Sequence, residues 1–422
     1  MLKIDIGLIK DALDIFDVTL NVSAKNSLQS IFKTKLSSNE AIQERQQILK
    51  CFRINYVLFK QYHYPLIHQR EVFLNLEQNK FTNILSFENP LKKLNSNKQL
   101  AQDLKGKAIQ FIHFFDFYYQ TYLRSFDSSQ FPDLYKSKYQ QFVSYLNSFN
   151  LEEQKKRIID KKFHLKETLE VVKIMETHYK NKQQQIFIDF FFEFEAFIAI
   201  TNQSILYNFC FAETSESQVF IDNFYHPKLT KPVKNTLVNS NGVLLLTGAN
   251  MAGKSTLLKS IGLCVYLHHL GLPIPATKAQ IPFYNHIYIF LNNNDDLNSG
   301  YSYFMQEILN LKEVVVRCSN NETCFAIFDE LFKGTNFEDA FAISQTTLNG
   351  LVKFNTSLFI ISSHIHQLKQ VVEKQQTIQP YYLECLIKDN HPQFTYELKK
   401  GFSDLKLGQI LFNSEKLNTL FG

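Results

Sequence analysis

Gly248, Gly253, Lys254 and Ser255 fill the fixed positions of G-x-x-x-x-G-K-[ST] within LLLTGANMAGKST, the run Leu244 to Thr256. Glycines so placed let successive backbone N–H groups turn inward around phosphate oxygens, and a helix that follows adds its positive N-terminal dipole. The spacing predicts a phosphate-binding loop of Gly248, Ala249, Asn250, Met251, Ala252, Gly253, Lys254, Ser255 and Thr256. Lys254 is expected to reach the β- and γ-phosphates of a nucleoside triphosphate, and Ser255 to hold Mg²⁺ through its hydroxyl. Such a loop needs a strand before it and a helix after it. Val243 to Leu246 reads as the strand, while Leu257, Leu258 and Ile261 continue at helical spacing.

Phosphate chemistry of this kind also needs a carboxylate at the end of a neighbouring strand. Cys324 to Glu330, CFAIFDE, is an apolar run ending in two acids. Asp329 is expected to bind Mg²⁺ through water, and Glu330 to orient or deprotonate the attacking water. Another apolar run, SLFIISS, ends just before His364, where a histidine can contact the γ-phosphate or its water. Taken alone, Asp-Glu also suits a solvated turn and His364 a capped surface histidine. Their position downstream of the loop favours the chemical reading.

The elements that must position these groups differ between the two halves of the 422-residue chain. From the start to about Asn202 the pattern is helical: Leu8, Ala12, Ile15 and Phe16 repeat at three and four, as do Leu165, Leu169, Val172 and Met175. After about Tyr207, short β-rich runs at Gln218–Phe224, Val243–Thr247, His286–Leu291, Cys324–Phe328 and Ser357–Ser362 alternate with helical segments, which is the signature of an α/β nucleotide-binding core. The expected division is therefore a helical domain over 1–205 and an α/β domain over 206–422, with the last helix of the first running into the second as a lever.

Composition bounds what surrounds the site. Forty-five basic against 40 acidic side chains give a formal charge of +5, so any nucleic-acid contact must come from local clustering. Lys155, Lys156, Arg157, Lys161 and Lys162 form the densest cluster; it could meet phosphates, and it also suits the solvated face of a helix. Phe114, Phe115, Phe117, Tyr118, Tyr119 and Tyr122 could stack on bases, but their spacing suits helix packing better. Six cysteines without a C-x-x-C pair, and charges among the first ten residues, point to a reduced cytoplasmic protein. The Phe-rich segment Ile186–Ile200 is interrupted by Asp189, Glu193 and Glu195 and reads as a core helix, not a membrane span.

GANMAGKST, DDLNSGYSYFMQE, DELFKGTN and SSHIHQL occur in that order. Together they resemble the ATPase of the DNA mismatch repair protein MutS family. The resemblance extends through Tyr225-His226-Pro227 and through Thr395 to Gly408, and more weakly to Ile42 and Glu44-Arg45-Gln46, which are similar to the segment opening that family's lever region. It implies an α/β P-loop ATPase domain of the ABC type preceded by an elongated all-α lever-like domain, with ATP and Mg²⁺ as cofactors. It further implies a homodimer in which the loop carrying Ser302, ahead of a helix Phe304 to Val316, reaches the γ-phosphate of the opposite subunit. Asp295-Asp296-Leu297, Ser299-Gly300, Glu307, Gly334-Thr335 and His364 match family positions.

Departures from the pattern are specific. Lys333 stands where arginine is usual, Ala249 and Ala252 replace a proline and a glycine, and Val233 falls where an aromatic often stacks on adenine. These bear on nucleotide affinity more than on phosphate chemistry. The chain is also expected to lack a mismatch-reading wedge domain, a connector domain and a helix-turn-helix tail. The functional expectation is a DNA-associated, ATP-gated homodimer that moves helical arms and binds non-standard DNA structures. The competing reading is a nucleotide-gated switch whose arms grip a protein and never touch DNA.

Overall fold

The computed structural model describes residues 2–79, 82–248, 252–291, 303–375, 377–388 and 391–403. The chain divides into two compact units, one of residues 1–15, 32–46 and 204–422, the other of 16–31 and 47–203. Two segments near the N-terminus thus belong with the C-terminal half.

Among the described residues the first unit holds two sheets. Its strands are β1 (Leu2–Ile4), β2 (Glu213–Ser215), β3 (Gln218–Phe224), β4 (Asn235–Ser240), β5 (Gly242–Thr247) and β6 (Lys278–Pro282). They continue with β7 (His286–Phe290), β8 (Cys324–Phe328), β9 (Leu358–Ser362), β10 (Ile378–Lys388) and β11 (His391–Lys400). Among the described residues the larger sheet has seven strands in the order β1-β7-β8-β9-β5-β10-β11, and the smaller has the order β2-β6-β3-β4. From β1 to β10 the larger sheet is parallel, and β11 closes it as an antiparallel edge.

Strands β5, β8 and β9 are buried along their whole length, as a parallel sheet covered on both faces requires, and this is why GVLLLT, CFAIF and LFIIS read as continuous apolar runs. β1 corrects the helical reading of the first residues: Leu2, Lys3 and Ile4 pair with Ile287, Tyr288 and Ile289. A strand of three residues is too short to show alternation in sequence.

The second unit is helical and its core is aromatic. The Phe52 ring lies 4.6 Å from that of Phe194, and Phe126 stands 5.5 Å from the same ring. Phe114, Phe115, Tyr118 and Tyr122 are buried, so this part of the aromatic run is core. The helix Gln183–Leu206 buries Phe187, Ile188, Phe190, Phe191, Phe192 and Phe194 around much of its circumference. Glu195 is buried among them, and its carboxylate accepts from Tyr64 Oη at 2.6 Å, Leu20 N at 2.7 Å and Asn21 Nδ2 at 3.1 Å. Burial pushes the Glu195 carboxyl up, and these donors offset only part of that rise. No helix among the described residues is long and apolar enough to cross a membrane.

Candidate functional site

Strand β9 lies between β5 and β8, and all three run parallel. The segments leaving their C-terminal ends therefore meet at one edge of the sheet, where open α/β sheets bind ligands. β5 leads to Gly248, β8 to Asp329 and Glu330, and β9 to Ser363 and His364. Gly248 has φ 137° and Gly253 φ 92°, conformations that a side chain rarely tolerates. Ala252 is buried, Lys254 opens the helix Lys254–His269, Ser255 is half-buried within its first turn and Thr256 is exposed. Ala249, Asn250 and Met251 lie outside the described residues, as do Ser302 and the segment 292–301.

Lys254 Nζ donates to the Gly248 carbonyl at 2.8 Å and lies 3.7 Å from Oε1 of Glu330. Lys333 Nζ takes the other carboxylate oxygen, Oε2, at 2.8 Å. Glu330 thus stands between two ammonium groups. Burial raises its carboxyl, but the hydrogen bond from Lys333 and the charges of Lys254 and Lys333 outweigh that and leave it below the usual carboxylate range, with a smaller contribution from His364. Burial lowers the Lys254 ammonium, and the attraction of Glu330 and Asp329 offsets only part of it.

The backbone around the acids is held by neighbouring side chains. Asp329 N continues the ladder to Phe290 O at 3.2 Å, after which Glu330 and Phe332 adopt φ 55° and 66°. Two contacts support this left-handed turn. Glu307, buried on the helix Tyr303–Ser319, accepts from Phe332 N at 3.0 Å. The Ser362 hydroxyl accepts from Glu330 N at 2.7 Å and donates to Asp329 Oδ1 at 2.7 Å. Beyond it, Ser363 Oγ accepts from Ile365 N at 3.1 Å in a tight turn that leaves His364 exposed.

Lys254, Asp329, Glu330 and His364 are therefore brought to one edge, with Ser255 on the helix that Lys254 begins. Ser362 is marked in the sequence only as the first residue of SSHIHQL, a hydroxyl at the end of an otherwise apolar strand with no role of its own. Tyr396 likewise lies within a marked stretch, Thr395 to Gly408, without a role of its own. Its ring lies against Gly253, where an added Cβ would come within 3.1 Å of it, and its backbone has φ 60°. Only the β10–β11 hairpin brings it there. Val233, in contrast, is an exposed apolar side chain.

Other residues marked in the sequence are placed as follows. In the first unit, Gln46 Nε2 donates to Ala212 O at 2.9 Å and Arg45 to Leu270 O at 3.1 Å, so Glu44-Arg45-Gln46 borders the sheet-bearing core. In the helical unit, Lys155 pairs with Asp116 at 2.5 Å, and Arg157 pairs with Glu153 at 2.6 Å and Glu170 at 3.6 Å. Lys156, Lys161 and Lys162 are placed on the same unit, with Lys161 and Lys162 exposed. Among the described residues no group of three or more His, Cys, Asp and Glu side chains could hold a metal by itself.

Residues 244–412 match the family model of MutS domain V. The DNA mismatch repair protein MutS of Bacillus cytotoxicus is 28% identical over 203 residues, which cover 46% of this chain and 22% of that protein. Its namesake from Acholeplasma laidlawii is 25% identical over 219 residues, covering 51% of this chain and 26% of the relative. The one from Bacillus cereus is 28% identical over 203 residues, covering 46% and 23%. The match thus spans about a quarter of the length of these curated relatives. Glycines and Lys254 follow β5 at the start of the matched stretch, and the acids and His364 follow β8 and β9 within it: residues 244–412 of this chain are similar to MutS domain V.

Proposed function

We propose that this chain is a Mg²⁺-dependent ATPase of the P-loop, ABC-type class, working as a DNA-associated homodimer. The observation that carries the reading is the approach of Lys254 Nζ to within 3.7 Å of Glu330 Oε1, two groups that leave different strands. A cation for phosphate and a carboxylate for water are thereby available at one place. In this reading Lys254 binds the β- and γ-phosphates, backbone N–H groups of the loop surround them, and Glu330 orients the attacking water and takes its proton. His364 would contact the γ-phosphate or its water, and Tyr396, against Gly253, would border the nucleotide.

The donor set fits Mg²⁺. Ser255 and Asp329 offer hard oxygens and few of them, which suits an ion that keeps several waters and takes the rest of its shell from phosphate. The chemistry Mg²⁺ supplies when bound is neutralisation of phosphate charge. Six free cysteines suit a reducing, cytoplasmic setting.

The finer parts rest on the family. The division into a lever-like domain, 1–205, and an ATPase domain, 206–422, would let closure of two ATP sites, each completed by Ser302 of the other subunit, move the helical arms on non-standard DNA. One observation favours the alternative, an interaction switch that grips a protein: Lys155 and Arg157 are already paired with carboxylates, which leaves fewer cations for DNA. The test of the central reading is turnover of ATP with Mg²⁺ by the purified chain and two variants. Lys254→Ala should lose nucleotide binding, whereas Glu330→Gln should keep binding and lose turnover. Equal loss of affinity in both would remove the roles assigned, and no turnover by the wild type would remove the reading.

A further inference from the structure

We propose that Ser362 is a positioning residue, through which one hydroxyl sets both acids of the site; this rests on the ATPase reading above. The parallel register pairs Phe328 with Ile361, so the next residue of each strand, Asp329 and Ser362, stand level where the ladder ends. Across its other edge Ser362 pairs with Leu246, two residues before Gly248. It therefore sits between the loop strand and the strand of the acids.

A hydroxyl has one proton to donate and lone pairs to accept. Ser362 uses both: it donates to Asp329 Oδ1 and accepts from Glu330 N, each at 2.7 Å. The first bond fixes the rotation of the Asp329 carboxylate and leaves its other oxygen for a water-bridged cation. The second holds the backbone of Glu330 at φ 55°, a conformation that costs free energy unless its surroundings enforce it. The side chain that must direct water is thus aimed by a residue that is itself buried. Ser362 is fully buried, so solvent cannot replace either bond when the hydroxyl is removed.

Ser362 also lines a small cavity together with Leu245, Phe332, Thr347 and Leu348. Threonine keeps the hydroxyl and its branched side chain suits a strand, so it serves as the conservative variant.

The experiment uses the full chain as wild type, Ser362→Ala and Ser362→Thr, with two readouts. The first is kcat and KM for ATP. The second is binding of a non-hydrolysable ATP analogue, titrated without Mg²⁺ and then with increasing Mg²⁺. Loss of an outer-shell partner costs roughly 10- to 100-fold in activity or metal affinity. Ser362→Ala should show a loss of that size in kcat and a raised Mg²⁺ requirement, with KM and Mg²⁺-free affinity near wild type, and Ser362→Thr should recover both. Unchanged kcat and Mg²⁺ requirement in Ser362→Ala would overturn the proposal. So would an equal fall in Mg²⁺-free affinity that threonine does not restore, because that pattern belongs to a general packing defect. Wild-type protein that hydrolyses no ATP sinks the underlying reading; wild-type turnover with an unaffected Ser362→Ala sinks this proposal alone.

Discussion

Lys155 Nζ stands 2.5 Å from Oδ2 of Asp116, a carboxylate with 2% of its surface exposed, so one cation of the basic cluster is committed to the interior of the helical unit. Removing Lys155 leaves a buried carboxylate without this charge partner. Lys155→Ala should therefore cost about 1–3 kcal/mol of stability. Chemical denaturation followed by circular dichroism reads this directly, and an unchanged midpoint would show that Asp116 is satisfied by other means.

DNA binding must for that reason be tested on other lysines. Lys161 and Lys162 are exposed, Lys156 lies on the same unit, and Lys161 has φ 58°, so glutamine is a better replacement than one that adds a backbone preference of its own. The combined Lys156→Gln, Lys161→Gln, Lys162→Gln variant should bind duplex, junction and single-stranded DNA more weakly without changing their ranking. Its affinity should also depend less steeply on salt, by about one unit of slope for each phosphate no longer neutralised. Binding equal to wild type across a salt series would move any DNA site off this part of the helical unit.

Glu330 supplies a pH signature. Its carboxyl lies below its ordinary value of 4.5 because Lys333 and Lys254 outweigh burial. A carboxyl lowered in the folded state contributes stability above its ordinary value and loses that contribution as the pH falls through the folded value. Activity that needs the ionised carboxylate should follow the same limb, holding into acid solution. Lys333→Met removes the hydrogen bond and lets burial prevail, so the acid limb of kcat should move toward neutral pH. A limb that stays in place would mean that Glu330 does not limit the rate.

Gly271 marks where the N-terminal segment meets the sheet-bearing core. Its φ is 68°, and an added Cβ would lie 2.9 Å from Arg45 Cβ and 3.1 Å from the Ile42 carbonyl. Gly271→Ala should destabilise that unit by about 1–3 kcal/mol through strain and displacement of this segment. A thermal midpoint equal to wild type would show that the chain here yields without cost.

ATP held by Glu330→Gln should shift the protein from monomer to dimer if Ser302 completes the partner's site. Light scattering with and without nucleotide decides it. A mass that remains monomeric would remove the support for a site shared between subunits.

The glycine turn after β5, the acidic pair and the histidine were legible as segments that follow strands, because buried parallel strands read as unbroken apolar runs. Strands β10 and β11 were not, since Pro380 interrupts the apolar signal of the first and the second alternates on an exposed edge. With them went Tyr396, whose place against Gly253 depends wholly on that hairpin. The basic cluster was legible as charge alone; its internal pairing was not, because Asp116 lies 39 residues away on another helix.

By itself the sequence determined the local chemistry: glycines where the backbone must take positive φ, an ammonium and two carboxylates at strand ends, and two textures along the chain. Local propensity and spacing suffice for these because they depend on residues a few positions apart. Strand order was decided by the tertiary structure alone, since β9, next to β8 and β5 in space, comes after both in sequence. That order joins Glu330 to Lys254 and puts the Ser362 hydroxyl between Asp329 Oδ1 and Glu330 N. Hydrogen bonds across 32 and 33 residues of chain arise only when a sheet closes around its core, and no spacing along the sequence encodes them.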